Sequence, residues 1–157
     1  MRSHLPKALH ALAGRPMVEA LISRAKEAGA SRVYVVAGFG IEEVRKALPQ
    51  GVVLVHQKQQ WGSGHAVAVA EKALAGESGE LFVLYCDTPL LTAGTLRAML
   101  AAHRRDKNEA TLLSVEMQDP TGNGRLLRRA GMEERAVEHH DATDEEKAVR
   151  EVNAGCY

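Results

Sequence analysis

Cysteine is scarce in this chain. Two, Cys86 and Cys156, stand among 157 residues, too few for a disulfide framework and too far apart for a CxxC pair. Net charge is lacking as well. Twenty basic residues balance twenty acidic ones, which favours neither nucleic acid nor an anionic membrane as partner. The small basic clusters at Arg104–Lys107 and Arg125–Arg129 read as solvated faces. No apolar run approaches ~18 residues, so the sequence predicts no membrane span. The opening ten residues are polar and broken by Pro6, unlike a signal peptide. Internal repeats, low-complexity tracts and linkers are missing too. With Cys86 inside an apolar segment, which suits a reducing setting, these absences point to a cytoplasmic protein. What remains is an ordinary balance of 45% apolar and 25% charged residues, in a length that fits one domain with a real core.

Helix and strand signals alternate along the chain. Pro16 to Ala28 reads as a helix, with Met17, Ala20, Leu21 and Ala25 at helical spacing, a proline suited to its first turn and Gly29 at its end. Arg32–Ala37 is a β-branched strand, Ile41–Leu48 a helix stopped by Pro49, Val52–His56 a strand and Gly64–Leu74 an Ala-rich helix. Leu81–Tyr85 predicts a strand buried on both faces. A helix from Thr92 to about Arg104 follows, with Thr92 as its N-cap, then a strand over Ala110–Glu116. Beyond it come short strands near Arg125–Arg128 and Arg135–Glu138, an acidic helix near Thr143–Arg150 and the start of a strand at Val152–Tyr157. This alternation predicts an α/β domain with a mostly parallel sheet. The chain opens in a loop and a helix with no strand ahead of them and stops inside an apparent strand. The expectation is therefore a fragment whose first strand is missing.

The segment Glu80-Leu-Phe-Val-Leu-Tyr-Cys-Asp-Thr-Pro-Leu90 carries the sharpest chemical signal. Its apolar run ends in a carboxylate, Asp87, and Pro89 stops the ladder because it has no N–H to donate. In an open parallel sheet, ligands sit beyond the carboxyl ends of the strands. An Asp there can hold a hard cation such as Mg²⁺, which in turn holds a substrate phosphate; it can equally start a turn or cap the next helix. Gly38-Phe39-Gly40 lies between strand and helix as a dinucleotide fingerprint would, but the third glycine falls at Glu43. It reads as a plain turn. His56 to Ala66 is polar and lies where a helix start leaves backbone N–H groups free. Gln57 and Gln60 can each offer a donor beside an acceptor, as a pyrimidine edge requires, and Gly62 and Gly64 would let the backbone approach a flat ring. The competing reading is a loop that caps the helix through Ser63, with His65 packing or capping. Lys7 can neutralise phosphate as a mobile point charge or be a solvated lysine. Asp119–Arg125 is turn-rich, and Gly124 could present a backbone group to a sugar hydroxyl. Glu138 and Asn153, at strand ends, could bracket a sugar ring. His139-His140-Asp141 invites a metal reading, but neighbours on a strand face opposite ways.

Taken in order, Leu5-Pro6-Lys7, Ala13-Gly14-Arg15-Pro16-Met17, Gln57 to His65, Leu84 to Leu90, Asp119 to Arg125 and Glu151-Val152-Asn153 resemble the sugar nucleotidyltransferases. Within them the likeness is strongest to the uridyltransferase domain of the bacterial bifunctional N-acetylglucosamine-1-phosphate uridyltransferase/glucosamine-1-phosphate acetyltransferases, and it spans nearly the whole chain. The resemblance implies a Rossmann-like, GT-A-like nucleotidyltransferase fold. It also implies the reaction of UTP with N-acetylglucosamine 1-phosphate to give UDP-N-acetylglucosamine and pyrophosphate, with Mg²⁺ as cofactor. Carried over by motif, Lys7 would bind phosphate and Asp87 would hold Mg²⁺. Gln57, Gly62 and Ser63 would hold uracil, Tyr85 and Cys86 would line the nucleotide and sugar pocket, and Gly124, Glu138 and Asn153 would fix the amino sugar. The nucleotide-binding part would cover about residues 1–118 and an incomplete sugar-binding part about 119–157. Homo-oligomers belong, on this likeness, to the full-length protein.

Departures from the family pattern shape the expectation. The glycine-rich triphosphate loop that should precede Met1, a second metal-binding asparagine beyond Tyr157 and the β-helical acetyltransferase domain are absent. Cys86 stands for a glycine, Asn123 for a tyrosine, Ala154 for a threonine and His140 for a lysine. The chain alone is therefore expected to be inactive, and Met1 to be an internal start or the edge of a partial coding region. The rival expectations are a relative acting on another sugar 1-phosphate or another nucleotide, and a degenerate fragment that only binds nucleotide or a partner subunit.

Overall fold

The computed structural model of the chain describes residues 3–129 and 132–157. It divides into two compact units, the first ending at Ala102 and the second running His103–Tyr157.

In the first unit, a 3₁₀ turn at Lys7–Leu9 leads into a small hairpin of β1 (Ala11–Leu12) and β2 (Arg15–Pro16). The two residues between them, Ala13 and Gly14, both have positive φ, 49° and 81°, the conformation of a type I′ turn. Helix α1 (Met17–Glu27) follows, with Pro16 at its N-cap. Its buried face is Val18, Leu21, Ile22 and Ala25, the i, i+3, i+4, i+7 stripe of an amphipathic helix. The sequence placed Met17 and Ala20 on that face; the true stripe is centred one position further along. At the C-terminus Ala30 N–H donates to Ala25 and Gly29 N–H to Lys26, each at 3.0 Å, which closes a Schellman motif.

Strands β3 (Val33–Ala37) and β4 (Val52–His56) pair in parallel, from Val33 with Val52 to Ala37 with His56. Helix α2 (Ile41–Ala47) joins them, and α3 (Ser63–Leu74) follows β4. Parallel strands need such a crossover because a tight turn can join only antiparallel ones. The helix α4 (Ala93–Asp106) starts in the first unit and carries buried Ala93, Leu96 and Met99. Thr92 caps it: its Oγ1 accepts the Thr95 N–H at 3.1 Å.

The segment Leu81–Tyr85 differs from expectation. Among the described residues it forms no ladder; Leu84 alone has bridge geometry, and Leu81 is exposed. An apolar run with aromatic residues favours an extended backbone, but a strand also needs a neighbour along its length. Here the continuous parallel pairing lies between β3 and β4.

The second unit is antiparallel. Strands β5 (Ser114–Glu116), β6 (Arg125–Arg129), β7 (Met132–Val137) and β8 (Glu151–Asn153) form one sheet in the order β5-β8-β6-β7. Leu126, Val137, Ala142, Val152 and Cys156 are buried here. The short helix α5 (Asp144–Lys147) opens in a capping box, with Thr143 Oγ1 accepting from Glu146 N–H and the Glu146 carboxylate accepting from Thr143 N–H. The sequence carries this signature as Thr-x-x-Glu. The α/β class expected from the sequence is present, with its parallel part in the first unit. No helix among the described residues is long and apolar enough to cross a membrane.

Candidate nucleotide and sugar sites

Two groups of the sequence-selected residues come together in the first unit and one in the second. The first is built around the opening loop. Gly40 has φ +63°, and a Cβ there would collide with the Pro6 ring. Glycine therefore serves twice at this position, reaching the left-handed region and letting Pro6 seat against the turn between β3 and α2. Lys7, next in the chain, extends its Nζ to within 2.5 Å of Asp87 Oδ2. Asp87 itself sits in a tight turn in which Thr88 N–H and Thr88 Oγ1 both reach the Tyr85 carbonyl, at 3.2 and 2.8 Å. The carboxylate thus caps no helix, since Thr92 performs that task.

Lys7 and Asp87 are both about half exposed, at 53% and 42% of the side chain, so water and a ligand can reach them. The hydrogen bond from Lys7 to Asp87 raises the lysine above its ordinary value; partial burial opposes it and the carboxylate charge adds to it. Lys7 is a committed cation. Beside them Tyr85 and Cys86 are half-buried. Burial pushes the Cys86 thiol up, the Asp87 charge adds to the effect and Lys7 offsets part of it, so Cys86 is a neutral lining group. Among the described residues no group of three His, Cys, Asp or Glu could hold a metal. Asp87 offers a single hard oxygen ligand. That fits a cation such as Mg²⁺, which takes one or two carboxylates and completes its shell with water and phosphate.

The second group lies in the loop between β4 and α3. Gln57 is buried, at 8% exposure. Its Nε2 donates to the Gly62 carbonyl at 3.0 Å and meets His65 Nδ1 at 3.1 Å. Gly62, at φ +96°, is the N-cap of α3, and no side chain caps that helix; the capping reading of Ser63 does not hold. Ser63 is exposed as the first helical residue, so α3 presents free N–H groups beside it. Trp61 is exposed, with its ring 5.0 Å from that of His65. Gln60 approaches Gly38, where a Cβ would lie 2.8 Å from Gln60 Nε2.

In the second unit Gly124, Glu138 and Asn153 come together. A Cβ on Gly124 would lie 3.5 Å from both Glu138 carboxylate oxygens, and Asn153 N–H donates to the Gly124 carbonyl at 3.2 Å. The Asn153 side chain is held at both ends: Nδ2 donates to the Tyr157 hydroxyl and Oδ1 accepts from Gly155 N–H at 2.9 Å. Glu138 is exposed. A backbone carbonyl, a carboxylate and an amide in one place form a set that can bind the hydroxyls of a sugar.

Sequence reasoning missed Arg125. It is 1% exposed, and its guanidinium donates to the carbonyls of Pro120 (2.7 Å), Asn123 and Lys147 (3.4 Å) and to His139 Nδ1 (3.4 Å). It thereby fixes the loop on which Gly124 sits. His139 is thus engaged with Arg125, and its ring lies edge-on to His140. The available signal was an arginine entering a strand just after a glycine-rich turn. A second missed element is Glu151, which accepts from Arg128 Nε (2.6 Å), from Arg128 Nη2 (2.5 Å) and from Ser114 Oγ (2.6 Å). The Arg128 and Ser114 hydrogen bonds hold its carboxyl down to about 2.

The MobA-like NTP transferase domain matches residues 1–152. The bifunctional protein GlmU of Halalkalibacterium halodurans is 43% identical over all of this chain and 35% of its own length. GlmU of Shouchella clausii is 42% identical over the same shares. The chain therefore spans about a third of the curated relatives it matches. Among solved structures, a UDP-glucose pyrophosphorylase complexed with UDP-glucose superimposes with a TM-score of 0.73 at 18% identity, over 97% of this chain and 67% of that one. At that identity the likeness shows the fold, and the fold is that of a nucleotidyltransferase. The resemblance drawn from the sequence motifs holds over the whole chain.

Proposed function

We propose, for a chain that belongs to the MobA-like NTP transferase domain family, that it is the uridylyl-transferring part of an enzyme making UDP-N-acetylglucosamine. The acceptor is N-acetylglucosamine 1-phosphate. Its phosphate oxygen attacks the α-phosphorus of UTP, the bond to the β-phosphate bridging oxygen breaks, and pyrophosphate leaves with that electron pair. The approach of Lys7 Nζ to Asp87 Oδ2 carries this reading, because it sets a phosphate-neutralising cation beside a metal-binding carboxylate. Both partners come from motifs distant in sequence.

Phosphoryl-type transfer demands positioning and charge stabilisation more than covalent help. Lys7 neutralises phosphate oxygens as charge builds in the transition state. Asp87 is the carboxylate that would hold Mg²⁺, which when bound supplies further neutralisation of phosphate charge. Gln57, Gly62 and Ser63 hold the uracil, and Tyr85 and Cys86 line the nucleotide and sugar pocket. Gly124, Glu138 and Asn153 fix the amino sugar, with Arg125 holding the loop that bears Gly124. On this reading about residues 1–118 serve the nucleotide and about 119–157 the sugar.

The test is pyrophosphate release from UTP, N-acetylglucosamine 1-phosphate and Mg²⁺. The chain is compared with a version joined to the family's preceding glycine-rich loop and continued through the second metal ligand. Turnover in the extended version, abolished by Asp87→Asn, is the expected result. Silence in both versions overturns the reading and leaves a nucleotide-binding relic.

A further inference from the structure

The Gln57 amide is satisfied unevenly. Its nitrogen carries two hydrogens, and both are used inside the loop, one by the Gly62 carbonyl at 3.0 Å and one by His65 Nδ1 at 3.1 Å. Its oxygen accepts no hydrogen bond among the described residues and keeps contact with solvent. The orientation is not arbitrary. The Gly62 carbonyl can only accept, so the amide nitrogen must face it, and a flipped amide would oppose two oxygens. The second amide hydrogen then points at His65 Nδ1, which accepts it in the tautomer with its proton on Nε2. The Trp61 indole, with its centroid 5.0 Å from the imidazole and tilted by 42°, helps hold that ring in place.

We infer that His65 is a positioning residue that locks the Gln57 amide with only its carbonyl oxygen facing the ligand, making this position an acceptor that selects a base with a ring N–H. This rests on the proposed role of Gln57 in holding the base. Uracil and thymine carry a hydrogen on N3 and meet such an acceptor favourably. Cytosine presents a lone pair at N3, so two acceptors would face each other. Discrimination here comes from an acceptor that a cytosine ring would leave unpaired and oppose, which separates ligands more sharply than shape does. Without His65 the amide keeps only its bond to the Gly62 carbonyl, so turning it costs one hydrogen bond instead of two and Gln57 can more readily offer a donor in place of the acceptor.

The test is calorimetric binding of UTP and CTP to this chain and to variants of His65. Wild type should bind UTP at least about tenfold more tightly than CTP, the worth of one hydrogen bond set against one unpaired group. His65→Ala should bring the two within about threefold, mainly by improving CTP. His65→Leu repeats the comparison with bulk retained against Trp61, should the smaller side chain disturb the loop. His65→Asn, whose Oδ1 can accept where Nδ1 does, should keep the wild-type ratio. A role in packing alone would weaken both nucleotides equally and leave the ratio unchanged, which overturns the inference while sparing the proposed function. A wild-type chain that binds neither nucleotide, or both alike, overturns the role given to Gln57 and this inference with it.

Discussion

Lys7 Nζ lies 2.5 Å from Asp87 Oδ2 although eighty positions separate the two residues. Because both are half exposed, the pair adds little to stability; solvent screens such contacts to well under about 1 kcal/mol. Lys7→Ala and Asp87→Asn should therefore leave the unfolding midpoint almost unmoved. In a turnover-competent version, each should lower kcat by at least about 10²-fold, the usual cost of removing one charge-stabilising group. Chemical denaturation beside pyrophosphate release checks both halves. A large stability loss with normal turnover would make the pair structural.

Gly40→Ala should act in the opposite way, striking the fold first. The new methyl meets the Pro6 ring at a left-handed backbone position. Strain and collision together should cost about 1–3 kcal/mol, and Lys7 should lose its seat with Pro6. Urea denaturation reads the first effect and nucleotide affinity the second.

Arg125→Met should destabilise the second unit by about 2–4 kcal/mol. It strips the Asn123 carbonyl of the guanidinium donor and removes one donor from the Pro120 carbonyl, which keeps the Asn123 N–H, and a polar group left unsatisfied carries its own desolvation penalty. Arg125→Lys should recover only part, because an ammonium cannot reproduce the planar fork. Hydrogen exchange of the β6 and β8 amides would localise the effect.

Glu151 makes stability depend on pH at the acid end. Its carboxyl is held down to about 2 in the folded chain by Arg128 and then Ser114, against about 4.3 for an unfolded glutamate. A depressed folded value means the unfolded state binds the proton first as pH falls. The contribution is thus complete above about 4.5 and disappears on the way to about 2. Glu151→Gln should flatten that part of the curve of melting temperature against pH; an unchanged slope would assign it to other carboxylates.

The two cysteines should differ in reactivity. Cys156 is fully buried, and burial pushes its thiol up to about 11. Cys86 is half-buried. An alkylating reagent at mild pH should modify Cys86 slowly and Cys156 only after unfolding, as peptide mapping would show.

What could be read from the sequence was local. β4 was placed to the residue, α1 to within one residue at each end, and the cap at Thr92 follows from a hydroxyl side chain just ahead of a helix. Each is set by neighbours a few positions away. The Leu81–Tyr85 strand failed for the complementary reason: an apolar run specifies extension, while a ladder depends on which segment lies alongside. The same holds within the sites. Lys7 and Asp87 could each be suspected, but their contact spans most of the first unit. Arg125 looked like a surface charge because all but one of its named partners are carbonyls, which every residue carries and no sequence distinguishes. The amide polarity of Gln57 depends on a glycine carbonyl and a histidine tautomer, neither of which leaves a trace in composition.

The strand order β5-β8-β6-β7 has a consequence for how the second unit is made. β8, the latest of the four to be synthesised, lies inside the sheet, with β5 on one side and β6 on the other. The β6–β7 hairpin can close as soon as it emerges from the ribosome, whereas β5 must wait for a partner not yet translated. Loop closure over that stretch comes before its reward. The first unit can thus be folded while the second is still only a hairpin, and a pause in translation ahead of Glu151 would hold the nascent chain at that stage.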